Sequence, residues 1–144
     1  MTNLSLEQQR AIDRLKEELV PAAEKFLDDA AVVGLPKKQF GDSQFRNLIA
    51  IANETSSPAV VLNFIRYQIG RDSGKRNWGS EHAGSNLGDR LLADLKEGAV
   101  KEALAKVPGL EGDETLRQLA NIALIRQYLG FASRYLKYLD LKRK

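Results

Sequence analysis

Apolar residues along this chain recur at intervals of three and four and hardly ever alternate, a spacing that gathers them on one side of a helix. The pattern predicts an all-α protein, a single compact bundle of about five helices with no sheet, forming one helical domain over residues 1–144. The first segment starts near Ser5, whose hydroxyl with Gln8 three residues on resembles a capping box, and its apolar line is Ile12, Leu15, Leu19, Ala22 and Phe26. Pro21 lies within it; proline removes a helical donor and crowds the preceding turn, so a kink or a break into two helices is expected at Val20–Pro21. The stretch GLPKKQFG, 34–41, reads as a loop. A second helix is expected from Asp42 or Ser43 to about Glu54 with Phe45, Leu48, Ile49 and Ala52 inward.

Ser57-Pro58 is a helix start, because proline at the first helical position gives up a donor that has no partner there. The third helix runs from Pro58 to about Ile69 and ends near Gly70, with Val61, Leu62, Ile65 and Ile69 inward. Residues 71–86, RDSGKRNWGSEHAGSN, carry three glycines and few apolar residues, and are expected to form a long loop. The fourth helix spans roughly Leu87 to Val107, interrupted by Gly98 and stopped by Pro108-Gly109. The last starts at Asp113-Glu114, acidic residues suited to the positive end of a helix dipole, and runs to the basic tail LDLKRK. Between Leu116 and Ile125 it is apolar almost all round, which implies burial by the domain or by another subunit. Beyond, Tyr128, Phe131, Ala132, Tyr135 and Leu139 share one side, while Arg126, Arg134 and Lys137 fall within an arc of roughly 80° on the other.

The 144 residues suffice for one core and need no staple. With no cysteine, disulfides, thiolate ligands and a cysteine nucleophile are excluded. No apolar run of about 18 residues and no signal-like start occurs, so the sequence predicts a cytoplasmic protein without a membrane segment. The net charge of +3 conceals segregation: residues 1–34 sum to −3, 35–80 to +4, 81–112 to −2 and 113–144 to +4. A molecule basic on one side and acidic elsewhere follows.

Catalytic chemistry finds little to work with. His82 is the only histidine, so a metal site would have to be built from carboxylates, and a serine nucleophile at Ser80 or Ser85 would lack the strand-turn-helix setting that activates one. Asp28 and Asp29 are neighbours pointing in different directions, as solvated helix ends do. The glycines of 70–88 do not form a phosphate loop. The sequence therefore predicts no enzyme, no metal and no cofactor. A polyanion, by contrast, asks only for several spaced cations, each neutralising a phosphate and releasing counterions. Arg46, Arg66 and Arg71 are the first candidates, then Lys75, Arg76, Arg134 and Lys137, then Lys37 and Lys38. Asn63 and Gly70 share a stripe with Arg66, and Trp78 is either a stacking platform or a packing anchor.

The stretches SQFRNLIAIANET, VVLNFIRYQIGRD and IRQYLGFASRYLKYL, in that order, resemble the small all-helical subunit of type III CRISPR effector complexes of the Csm type. The matching positions are Arg46-Asn47-Leu48, Arg66-Tyr67 with Gly70-Arg71, and Tyr135 through Tyr138, covering about residues 43–72 and 113–140. The glycine-rich stretch from Lys75 to Gly88 has no counterpart in the family, so the carry-over stops at Arg71. The resemblance implies a non-catalytic protein, stacked in several copies beside guide RNA paired with target RNA, in contact with other effector subunits that do the cutting. An acidic first segment meeting the basic face of the next copy would give head-to-tail self-association. The alternative is a helical adaptor or oligomerisation module, without RNA contact, that works through the Leu116–Ile125 patch.

Overall fold

A computed structural model describes residues 3–72 and 74–143. Among the described residues there are six α-helices: α1 (Leu6–Asp29), α2 (Asp42–Glu54), α3 (Pro58–Arg71), α4 (Leu87–Lys96), α5 (Ala99–Leu104) and α6 (Glu114–Leu139). The expected fourth helix is two, α4 and α5, divided where Gly98 interrupts the pattern. None of the helices among the described residues is long and apolar enough to cross a membrane.

α1 begins as its residues dictate. The Gln8 amide donates to Ser5 Oγ at 3.1 Å and the Ser5 amide to Gln8 Oε1 at 2.9 Å, a reciprocal capping box. Gln8 is buried, and its Nε2 also donates to the carbonyls of Pro108 and Gly109, at 3.0 and 3.3 Å, fastening this end of α1 to the α5–α6 connection. The break considered at Pro21 does not occur, and α1 is one helix of 24 residues. Pro21 and Glu17 are both exposed, so the carbonyl deprived of its helical donor faces water.

α6 is the long axis, packed along α1 and also against α2 and α5. Its Ala120, Ile122, Leu124, Ile125, Tyr128, Leu129 and Ala132 are buried. The all-round apolar stretch is thus taken up largely inside the domain, with Leu116, Leu119 and Ala123 half-buried. Arg126 donates from Nε to the Ala52 carbonyl (2.8 Å) and from a terminal nitrogen to that of Thr55 (2.7 Å), closing the C-terminal end of α2. Arg143 reaches inward and donates to the carbonyls of Leu35 and Pro36, at 3.0 and 3.2 Å, and of Phe40.

The expectation of no sheet is corrected by a small antiparallel hairpin, β1 (Glu81–His82) with β2 (Ser85–Asn86). Its two-residue turn, Ala83-Gly84, has φ of 52° and 81°, both positive as in the tight turns that match strand twist. Nor is the stretch before it, 74–80, a free loop. Trp78 lies on a 3-10 turn, Asn77–Gly79, and is 2% exposed. Close packing explains two of the glycines: a Cβ at Gly79 would fall 2.1 Å from the Asp72 carbonyl oxygen, and one at Gly88 2.2 Å from the Ile69 side chain.

Candidate nucleic-acid interface

Three aromatic rings organise the basic end of the molecule. Phe40, Phe45 and Trp78 meet edge to face, with centroids 4.9 Å apart for Phe40–Trp78, 5.2 Å for Phe45–Trp78 and 5.8 Å for Phe40–Phe45. Each ring comes from a different segment: the α1–α2 connection, the first turn of α2, and the turn after α3. Polar bonds reinforce the junction. Asn77 donates its amide to the Gln39 carbonyl at 2.7 Å, and Gln39 Nε2 donates to the Lys75 carbonyl at 3.2 Å and to Ser80 Oγ at 3.3 Å. Lys37 and Lys38, far from Lys75 and Arg76 in sequence, are thereby held on adjoining segments, and all four are exposed. Trp78 is a packing anchor; its ring faces are occupied and cannot receive a base.

Arg46, one residue past Phe45, bonds Asp42 one turn earlier at 2.8 Å while 71% of its side chain stays exposed. An exposed pair of this kind contributes about 1 kcal/mol or less, so the guanidinium can exchange its carboxylate for a phosphate. On α3 the outward positions are Ala59, Val60, Asn63, Arg66, Tyr67, Gly70 and Arg71. Arg66 has no ion-pair partner among the described residues. Arg71 is held more closely: it donates to Gln68 Oε1 at 2.5 Å, lies 3.5 Å from an Asp72 carboxylate oxygen, and stands 5.8 Å from the Tyr67 ring centre. Lys75 faces Glu81 at 3.5 Å. Asp72, 4% exposed, takes its other bond from Asn77 Nδ2 at 3.4 Å, and its second carboxylate oxygen has no partner among the described residues.

Arg134 and Lys137 are exposed too, and Arg134 belongs to a different surface. Arg134 stands over Phe131, 5.4 Å from the ring centre, on the rim of a groove of about 460 Å³ lined by Val20, Glu24, Phe131, Arg134, Tyr135 and Tyr138. No lining residue comes from α2 or α3. The Tyr135 hydroxyl donates to the Asp28 carboxylate, 2.9 and 3.1 Å from its two oxygens, and chiefly for that reason its pKa is pushed up to about 12. Asp28 therefore has a use that adjacency in sequence did not suggest, and Asp29 pairs with Lys25 at 2.5 Å.

A second recess, about 340 Å³ between α1, α4 and α5, has Lys25, Asp29, Arg90 and Asp94 on its walls. The Tyr128 hydroxyl bonds the Asp94 carboxylate. Burial pushes Asp94 above the usual carboxylate range against the opposing pull of that bond, and burial, followed by the nearby Asp94 charge, pushes Tyr128 up.

Sequence reasoning named Tyr67 and Tyr138 only as motif positions and missed them as surface features, 58% and 51% exposed. Compared with family models, with curated proteins and with solved structures, the chain matches none of them.

Proposed function

We propose that the protein is a non-catalytic RNA-binding subunit that holds a guide RNA–target RNA duplex by its phosphates, as the small subunit of a type III CRISPR effector complex of the Csm type. Partner subunits and copies of itself, arranged head to tail, complete the assembly, which works in the cytoplasm. The observation that carries this reading is the set of exposed cations on α2, α3 and the two connections joined at Trp78: Lys37, Lys38, Arg46, Arg66, Arg71, Lys75 and Arg76. Helices that offer charge without a deep catalytic cleft suit a ligand recognised by backbone and A-form shape, with base pairing supplying sequence choice. The order of motifs through Arg71 supports the assignment to this family. The adaptor alternative drew on the stretch Leu116–Ile125, and burial of Ala120, Ile122, Leu124 and Ile125 within the domain leaves that stretch little surface to offer.

Replacing Arg46, Arg66 and Arg71 together with Ala tests the face. Binding to blunt RNA duplexes of unrelated sequence should weaken alike, and the slope of log K against log salt should flatten by about 2–3, close to one unit for each phosphate left without its arginine. An unchanged slope would count decisively against it.

A further inference from the structure

The α1–α6 groove is a second site, built for a flat ring rather than for a phosphate. The geometry points to an unpaired nucleobase, stacked on the exposed face of Tyr138 with its own phosphate on Arg134 and Lys142. Tyr138 is half exposed and stacks its other neighbour, Tyr135, at 5.9 Å between centroids and 27° between planes. With Phe131 also in the lining, three aromatic side chains border a space of about 460 Å³, within the size range of sites that hold a small ligand. Tyr135 is fixed by its bond to Asp28, which holds its ring still and withdraws its hydroxyl from other use.

Charge separates the possible occupants. Glu24 and Arg134 both line the groove, and the carboxylate disfavours an acidic peptide while accepting from the ring N–H and amino groups along a base edge. Arg134 stands over Phe131, and Lys142, whose ammonium lies over the Tyr138 ring 4.9 Å from its centre, swings aside on its flexible stem to admit a base there. An acceptor for a base edge, aromatic side chains beside it and a guanidinium in the same lining match a nucleotide, base and phosphate together. This goes beyond duplex binding and stands apart from it, because a base paired within a helix cannot enter the groove. Its ligand is the single-stranded portion of a nucleic acid.

The test uses the full chain, a fluorescein-labelled single-stranded RNA of alternating guanine and adenine, and a blunt RNA duplex, with binding followed by anisotropy at low salt. Tyr138→Ala should weaken single-strand binding by about tenfold or more, Tyr138→Phe should restore it, and neither should alter duplex binding. A 2-aminopurine placed in the strand should lose fluorescence on binding to the wild type and keep it with Tyr138→Ala. Because Tyr138 is exposed, its truncation leaves the core intact, and thermal unfolding checks that. The base site is overturned if the wild type does not bind the single strand, if Tyr138→Ala binds it as well as the wild type does, or if Tyr138→Phe fails as badly as Ala. It is also overturned if Tyr138→Ala instead abolishes a concentration-dependent self-association seen by sedimentation, which would make the groove an interface between copies. Failure of the duplex reading would appear separately, as duplex binding insensitive to the triple arginine replacement.

Discussion

Trp78 shows how much one residue decides at the basic end. A ring that is 2% exposed and wedged between Phe40 and Phe45 holds three segments together, and Trp78→Ala should cost about 3–5 kcal/mol in urea unfolding. As the chain's sole tryptophan it also reports on itself: its emission should be blue-shifted, poorly quenched by acrylamide and unmoved by saturating RNA. A red shift or ready quenching would mean that the ring is not seated as described. Asp94 makes a prediction with a sign. Because burial raises its pKa in the folded state, the fold takes up a proton more readily than the unfolded chain does. That contribution is full below the ordinary carboxylate range, near pH 4, and is lost as pH rises through the raised value. Asp94→Asn keeps an acceptor for the Tyr128 hydroxyl and removes the charge, so its melting temperature should gain on the wild type between about pH 4 and pH 7. A gap that closes or reverses over that range would contradict the assignment.

Among the elements, α1 carries a residue that its helix does not need. Pro21 sits on the exposed face of an uninterrupted helix, so Pro21→Ala should restore one backbone bond and raise stability by roughly 1–3 kcal/mol in denaturant unfolding. A loss instead would show that the proline bends α1 onto α6 in a way the packing requires. The helices were legible in the sequence wherever local chemistry governs them. Ser5 with Gln8, Pro58 after Ser57, Gly98 and Asp113 each mark a boundary through bonds made within a few residues. What the sequence hides is tertiary. Nothing near Trp78 in the chain announces Phe40 and Phe45, Arg143 in a basic tail looks solvated until Leu35 and Phe40 offer it carbonyls, and Ala83-Gly84 lacks the asparagine or aspartate that commonly signals a hairpin. The candidate site divides the same way. Its cations could be named from the sequence, but that Lys37 and Lys38 lie on a segment bonded to that of Lys75 and Arg76, while Arg134 rims a separate groove, depends on how the helices pack.

For the whole molecule, two surfaces of different character imply two independent binding terms. On a duplex carrying a single-stranded overhang, the triple Arg46, Arg66 and Arg71 replacement and Tyr138→Ala should weaken binding by free energies that add to within about 0.5 kcal/mol. Strong coupling would mean that the two faces grip one and the same stretch of nucleic acid. The pairing of α1 with α6 bears on how the chain is made. α1 leaves the ribosome with Ile12, Leu15, Leu19 and Phe26 uncovered, and the helix that buries much of that stripe begins only at Glu114. At about 5–20 residues per second that delay is roughly 5–20 s. For that interval the nascent protein displays an apolar helix without its partner, which makes it a client for whatever chaperone waits at the exit tunnel and sets the last turn of α6 as the event that ends the exposure.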